Sequence, residues 1–584
     1  MSKYASLAVI AVPVPVVFAL VTVLPPWYAA VVPRWFTRAA VLGFFWAMVV
    51  AQGVALVLAA AGVLTLGPVL VRARRRRARK PVAARLLLLS VTCLVGLAAA
   101  EAASSAWLAR EHRYPALPTR LPGPGAGKGD LTILVIGESS ARGDPYQDWL
   151  SIPAVVAWQL GRVFPGRRVS VDMRAAGGRT LEPMHRELAG LTYRPDAVFV
   201  YSGHNEFSGR FPWSRNAPHY RDAHPAALSE RLERLARVAR LTAIGRVALE
   251  GVEKQRLDIA PKHEVTRDLI DVPCFTPLEF EKVRDDYGGR LAAVVDYCGA
   301  IGAVPILVVP AGNDGGYEPN RSYLSPATTL AGREDFRRRF LKAGRVAADD
   351  PARGVSLYRS LLGQQPGFAE AHFRLGRLLA ERGDPAGASR HFALARDLDG
   401  LPQRCPTPLL DACRAAGRRE GCVLVDAPAV LRTLVPDGVL DDRLFHDAHH
   451  PNLRAYVALA QDVLDRLARR RAFGWPEGRP APVIDPDECA AHFGVGPAQV
   501  ATVCERTAVW YEADAFIRFD PSGRLEKARR LREAARRIEG GASPGTVGVP
   551  ALEGWPGRDD PDRGPSDARA PSPVRGRPGE GLRP

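Results

Sequence analysis

Five short, apolar-rich runs constrain the fold of this 584-residue chain more than any other feature: 131 to 137 (LTILVIG), 169 to 175 (VSVDMRA), 196 to 202 (DAVFVYS), 303 to 311 (AVPILVVPA) and 423 to 430 (VLVDAPAV). A strand with one wet face alternates apolar and polar residues, whereas a strand covered on both faces reads as a continuous apolar run. Helical stretches between the runs supply the crossovers that parallel strands need, so the pattern predicts an α/β domain around a buried parallel sheet. In such sheets ligands bind beyond the carboxyl ends of the strands. The residues that follow each run are therefore the ones to inspect for chemistry.

The first run ends in Gly137-Glu138-Ser139-Ser140, a tight turn that can present a serine as nucleophile with its own backbone N–H facing the reacting carbonyl. It is not the GxSxG elbow of the α/β-hydrolases. After the second run comes Ala176-Gly177-Gly178-Arg179-Thr180, where glycine lets a backbone N–H approach an oxyanion closely. The third run leads into Ser202-Gly203-His204-Asn205-Glu206, and an Asn amide after a Gly turn can donate to the same oxygen. Beyond the last run lies Phe445-His446-Asp447-Ala448-His449-His450-Pro451-Asn452, which supplies a general base and its orienting carboxylate. In this reading His450 accepts the Ser139 proton and later returns it, while Asp447 fixes the tautomer and stabilises the imidazolium. An ordinary histidine pKa near 6.5 suits that role at neutral pH.

Taken in order, GES, Gly, GHNE and DxxHP resemble the four residue blocks of the SGNH (GDSL-type) hydrolase superfamily. The resemblance implies a flavodoxin-like three-layer α/β/α fold over 130–328 and 401–472. It also implies roles: Ser139 as nucleophile, Asp447 and His450 completing the triad, and an oxyanion hole of Ser139, Gly178 and Asn205, with no metal or other cofactor. Three positions depart from the commonest pattern. Glu138 replaces the Asp of GDS, Glu206 replaces the Asp of GxND, and Met173 stands where many members have Asn. GHNEF, the later PAGNDGGYEPNRS and a helical insert also resemble a membrane-anchored bacterial subgroup of these proteins.

That insert is read from an internal repeat. Leu341 and Leu375, Tyr358 and Phe392, and Pro366 and Gly400 stand 34 residues apart, the tetratricopeptide period. The second copy (His372, Leu375, Gly376, Leu379, Ala388, Phe392 and Ala395) keeps the spacing of a helix-turn-helix unit, with His and Leu for the usual Trp and Tyr. It is read either as a structural hairpin or as a groove for a protein partner. The domain plan is thus 1–110 as a three-helix membrane anchor, 111–129 as a Pro/Gly linker, and 130–328 as the first part of the hydrolase. The remainder is 329–400 as the insert, 401–472 as the second part, 473–540 as a helical extension and 541–584 as a disordered tail.

Three apolar stretches, 5 to 32, 39 to 71 and 86 to 108, are each long enough to cross a hydrocarbon core. Glu101 interrupts the third, and the small residues around it also resemble a signal-peptidase site, so retention and cleavage both stay open. The arginine run from Arg72 to Arg85 lies between the second and third stretches, and the positive-inside rule puts it in the cytoplasm. Parity then places residues beyond 110 outside, giving a multi-pass protein of the bacterial inner membrane with an extracytoplasmic catalytic domain. The net charge of +17 comes from scattered arginines without interleaved aromatics, which argues against a nucleic-acid partner. No CxxC pair occurs, and Cys405, Cys413, Cys422, Cys489 and Cys504 are close enough in sequence for one or two disulfides in an exported domain.

The functional expectation is a serine esterase acting on carboxyl esters of an envelope glycan or lipid. Three rivals stand beside it. An acyl-enzyme can pass its acyl group to a sugar hydroxyl, making the protein an O-acyltransferase. The insert can serve as a scaffold on a catalytically dead body. Lastly, His446, Asp447, His449, His450 and His204 can be read as a metal cluster, although adjacent histidines rarely share one ion and that reading leaves Ser139 and Asn205 unexplained.

Overall fold

The computed structural model describes residues 81–111, 117–121, 130–208, 238–247 and 268–555, apart from positions 148, 240, 272, 276 and 326–327. Two units divide the chain: residues 1–113 with 223–262, and residues 114–222 with 263–584.

In the first unit, α1 (Pro81–Glu111) carries the third apolar stretch as one helix of 31 residues. Glu101 accepts hydrogen bonds from the backbone N–H groups of Ala243 and Ile244 at 2.5 and 3.1 Å. The charge that interrupts the apolar stretch is thereby satisfied. The first two expected membrane stretches lie outside the described residues, and over the described residues no helix is long and apolar enough to cross a membrane.

The second unit is built on five parallel strands, β1 (Leu131–Gly137), β2 (Val169–Met173), β3 (Ala197–Tyr201), β4 (Val304–Val309) and β5 (Val423–Asp426), in the order β2-β1-β3-β4-β5. All five fall within the predicted runs. Side chains alternate between two cores: Leu131, Ile133 and Val135 of β1 enter one, Leu134 and Ile136 the other. Both faces are covered, which is why β1, β3 and β4 read as apolar runs, whereas the half-buried edge strand β2 alternates Val, Ser, Val, Asp and Met. Burying each such side chain stabilises the fold by about 1.5–3 kcal/mol before chain entropy is counted. Gly137 pairs with Tyr201, and Val135 with Met173, so the carboxyl ends of β1, β2 and β3 lie side by side. The order of strands reverses between β1 and β3, where ligand crevices form in open sheets.

Helices follow from capping and periodicity. After α2 (Ser139–Arg142), α3 (Ile152–Val163) starts at Ser151, whose hydroxyl accepts from Ala154 N–H. It shares the first core with the sheet. The second core is closed by α4 (Leu181–Ala189), α5 (Pro277–Ile301) and a later helix over Thr407–Gly417.

Between β4 and the helix over Thr407–Gly417 lie four helices, α6 (Leu330–Asp349), α7 (Pro351–Gln364), α8 (Ala369–Glu381) and α9 (Pro385–Asp397). They share a core of their own in which Tyr358 and Phe392, 34 residues apart, are equally buried. The 34-residue correspondence does not hold everywhere. Leu375 is fully buried while Leu341 is 46% exposed, because α6 presents Phe340 and Ala343 to the core instead.

With the helix Thr407–Gly417 as α10 and Ala427–Arg432 as α11, the chain passes to α12 (Leu453–Arg469). Asn452 caps α12 by accepting from Ala455 N–H at 3.0 Å, and Leu453, Tyr456, Ala460, Val463 and Leu467 form its buried stripe. Then come α13 (Pro486–His492), α14 (Pro497–Ala515) and α15 (Ser522–Glu539).

Two expectations need correction here. Residues 541–555, assigned to a disordered tail, are folded: Trp555 is buried and stacks on Tyr146, and Ala551 O accepts from Asn452 Nδ2 at 2.9 Å. Apolar residues there lack periodicity because single side chains plug the core instead of a helix face doing so. Residues 556–584 lie outside the described residues. The disulfides are also absent: Cys405, Cys413, Cys422, Cys489 and Cys504, like Cys274 and Cys298, are free thiols buried as small apolar side chains.

Candidate active site

Four loops meet at the carboxyl edge of the sheet. The first is the turn after β1, which Gly137 makes possible: a Cβ there would sit 2.4 Å from both the Tyr201 carbonyl oxygen and the Ala141 Cβ. Glu138 N–H donates to that same carbonyl, and Ser139 opens the short helix α2. N–H groups in a first helical turn have no acceptor within their helix. The Ser139 N–H is thus free to serve a ligand.

Ser139 Oγ lies 2.7 Å from His450 Nε2, and His450 Nδ1 lies 2.6 Å from Asp447 Oδ2. The two ring nitrogens face different partners, so in neutral His450 the proton sits on Nδ1 toward the carboxylate and Nε2 accepts from the serine. Asp447 Oδ1 accepts from the N–H groups of His449 and His450, both at 3.0 Å. Those bonds and the His450 ring, working against burial, hold the Asp447 carboxyl far below its ordinary pKa. Burial also acts to lower the pKa of His450, but Asp447 outweighs it and the net shift is upward.

The loop carrying this pair is fastened at both ends and in the middle. Phe445 and Pro451 pair across it, and His446 N–H donates to His450 O at 2.9 Å. Asn313, after β4, donates from Nδ2 to Asp447 O at 2.8 Å and from its backbone to Ala448 O. The PAGNDGG segment, which the sequence showed only as a resemblance to a subgroup, is therefore the anchor of the Asp/His loop.

Asn205 sits in the turn after β3, where Gly203 adopts φ +140° with no room for a Cβ between Cys405, Pro310 and Tyr287. Its Nδ2 is buried without a hydrogen-bond partner. A buried unpaired donor costs about 1–3 kcal/mol, and such a group is retained where a ligand oxygen completes it. Gly178 follows β2 with φ +72°, on an exposed turn whose carbonyl accepts from the Ser208 hydroxyl at 3.5 Å. The expected triad is thus assembled, Asn205 is a poised donor, and Gly178 stands on the neighbouring loop.

Sequence reading gave Glu138 and Glu206 no role beyond keeping a carboxylate, and here the structure adds most. Glu138 accepts from the N–H groups of His204 and Asn205, both at 3.0 Å, tying the nucleophile turn to the Asn205 turn. Full burial pushes its pKa up to about 8 against those two bonds. Glu206 accepts from Leu181 N–H at 2.9 Å and the Ser202 hydroxyl at 3.3 Å, joining the Asn205 turn to the start of α4, just after Gly178. Its pKa rises to about 7, chiefly through burial. The one signal in the sequence was that both carboxylates immediately flank a candidate site residue.

No protein-family model, curated protein or solved structure matches this chain. The site therefore rests on its own geometry.

The histidines that invited a metal reading have separate partners. His446 Nε2 bonds the Tyr146 hydroxyl at 2.8 Å, His204 Nδ1 accepts from Cys405 N–H at 3.1 Å, and His450 is committed to Ser139 and Asp447. Burial lowers the pKa of His446 to about 4 and of His449 to about 3, and that of His204 well below the ordinary value. Among the described residues no group of three or more His, Cys, Asp or Glu is arranged to hold a metal ion.

Proposed function

We propose that this chain is a serine esterase of the SGNH hydrolase type, acting through an acyl-enzyme on Ser139. The observation that carries the proposal is the unbroken line Ser139 Oγ, His450 Nε2, His450 Nδ1, Asp447 Oδ2, with steps of 2.7 and 2.6 Å across 311 residues of sequence. Strand order supports it as well, since β2-β1-β3-β4-β5 is the flavodoxin-like order that the resemblance implies.

In the proposed reaction His450 takes the hydroxyl proton as Ser139 Oγ attacks the ester carbonyl. The tetrahedral oxyanion accepts from Ser139 N–H, Asn205 Nδ2 and the Gly178 backbone. His450 then gives its proton to the leaving alcohol, and water repeats the sequence to release the acid. Asp447 stays ionised throughout and stabilises the imidazolium.

The arginine run from Arg72 to Arg85 supports an extracytoplasmic site on an N-terminal anchor. That compartment favours acyl groups on an envelope glycan or lipid as substrates. The helices α6 to α9 are proposed as a tetratricopeptide-like pair. Wild type and Ser139→Ala are to be compared on short and long p-nitrophenyl esters and on acetylated glycans. Turnover that disappears with Ser139 is the expected result, and turnover that survives the substitution excludes the mechanism.

A further inference from the structure

The catalytic histidine of this reading is held from a part of the chain that the four sequence blocks do not touch. His450 has two ring neighbours. One is His449, with ring centres 4.3 Å apart and planes tilted by 46°, and His204 stacks on His449 in turn, at 4.4 Å and 17° from parallel. The other is Trp510, with its ring centre 4.7 Å from that of His450 and the planes 36° apart. Trp510 belongs to α14, in the helical extension.

The helix is fixed so as to put it there. Arg506, Trp510 and Asp514 recur every fourth residue and so share one stripe of α14. Arg506 Nη1 donates to the Pro145 carbonyl at 2.9 Å, in the loop that follows the nucleophile helix, and its guanidinium lies over Trp149. Asp514 Oδ2 accepts from the Tyr317 hydroxyl at 3.0 Å, beyond β4. Trp510 lies between these two attachments. The adjoining face of α14, with Val500, Val503, Cys504, Thr507 and Tyr511, is sunk in the core it shares with α15.

We propose that Trp510 is a positioning residue of the hydrolase site, packing its indole against His450 and stabilising its imidazolium form through the ring face. The extension is then part of the catalytic apparatus. The inference rests on the esterase reading for its consequence but not for its geometry. An aromatic face within about 6 Å of a cation attracts it, more strongly where water is excluded. His450 is buried, and the charged groups around it are Asp447 on its own loop, Glu138 beside the nucleophile and Asp144 beyond α2. Neither His449 nor His204 competes for the proton, since burial keeps both neutral.

The sign of the effect is fixed by this arrangement. Removing the indole disfavours the imidazolium, so the pKa of His450 falls, and the transition state that contains an imidazolium forms more slowly. The test uses the full-length protein with Trp510→Leu and Trp510→Phe. Histidine ring NMR reads the His450 titration, the low-field Asp447–His450 proton reports retained geometry, and labelling of Ser139 by a fluorophosphonate reports the reaction. Leu is expected to lower the His450 pKa by about half a unit to one unit and to slow labelling about tenfold with the low-field proton retained, while Phe restores most of both. A Leu variant that titrates and labels like wild type overturns the inference. So does loss of the low-field proton in both variants, which assigns Trp510 a purely structural role. A pKa difference between wild type and the Leu variant, with no labelling of wild type, sinks the esterase reading and leaves the Trp510 contact with His450 standing.

Discussion

Two regions of this protein bury a histidine in a hydrogen bond through Nδ1, and they treat its charge in opposite ways. At the sheet edge, His450 Nδ1 meets the Asp447 carboxylate at 2.6 Å, and its pKa is raised in spite of burial. In the helical insert, His372 Nδ1 meets His391 Nδ1 at 2.8 Å, while His372 Nε2 lies 2.9 Å from the Pro366 carbonyl. Burial lowers the pKa of His372, and it lowers that of His391 to about 4, helped by the neighbouring His372. A carboxylate compensates a proton arriving on the ring, whereas a second imidazole does not. Burial and hydrogen bonding alone therefore do not decide which histidine holds a proton. The partner's charge does.

The sharpest way to break the comparison is to make the first pair resemble the second. Asp447→Asn keeps the shape but removes the charge that outweighs burial, leaving only the more remote Asp144 and Glu138 to oppose it, and the pKa of His450 is expected to fall. Ester hydrolysis is expected to drop by about 10⁴-fold, the size of the effect when an orienting carboxylate is neutralised in another serine hydrolase. In wild type the rate requires neutral His450, so it rises with pH through a midpoint above 6.5. A pH–rate profile of both forms checks the direction.

Asn205→Ala tests the donor rather than the base. It removes a buried amide donor that has no partner among the described residues, and a loss of about 10²–10³ in kcat with little change in KM is expected. A loss confined to KM would assign Asn205 to substrate binding instead.

Glu138→Gln should have a smaller effect. One of the two N–H groups of His204 and Asn205 would then face an NH₂, so the Asn205 turn loosens and kcat is expected to fall about tenfold. It also has a stability consequence. A carboxyl whose pKa rises to about 8 on folding binds its proton more tightly in the folded state, so its contribution is full below about 4.5 and is lost as pH rises toward 8. The Tm of Glu138→Gln should therefore vary less with pH across that window than the wild-type Tm.

The smallest effect is expected in the insert. His391→Phe should leave hydrolysis unchanged, because nothing in that pair reaches the site. A histidine whose pKa falls to about 4 on folding contributes stability above 6.5 that is lost as pH falls toward 4. Thermal melts of the variant should be flatter over that range, and a change in kcat would show that the insert communicates with the sheet edge.

The strands, Ser139 and Asn205 were legible in the sequence for one reason: apolar runs identify doubly covered strands, and a crevice can only form beyond their ends. Ser139 and Asn205 stand two and three residues past a run, whereas Asp447 and His450, 17 and 20 residues past the last one, were legible as an Asp/His pair and not by closeness to a strand. Glu138 and Glu206 were visible, but their work was not, because a carboxylate that accepts backbone N–H groups from another loop carries no mark in its own spacing. Trp510 was hidden more deeply. It lies in a stretch the sequence marks only as helical, and its proposed role emerges only with α14 laid against the Pro145 loop and Tyr317. Residues 541–555 were misread for a related reason, since a segment that plugs a core with single residues such as Trp555 shows no period. The repeat was legible at Tyr358 and Phe392 and misleading at Leu341, where the first helix turns a different face inward.

The central claim is that Ser139 is a nucleophile activated by His450. Intact-protein mass spectrometry after treatment with a fluorophosphonate tests it most directly, with the modified peptide then sequenced. The account predicts a single adduct on Ser139 in wild type, none in Ser139→Ala, and much slower formation in His450→Gln. An unmodified wild type, or an adduct that persists in Ser139→Ala, contradicts it.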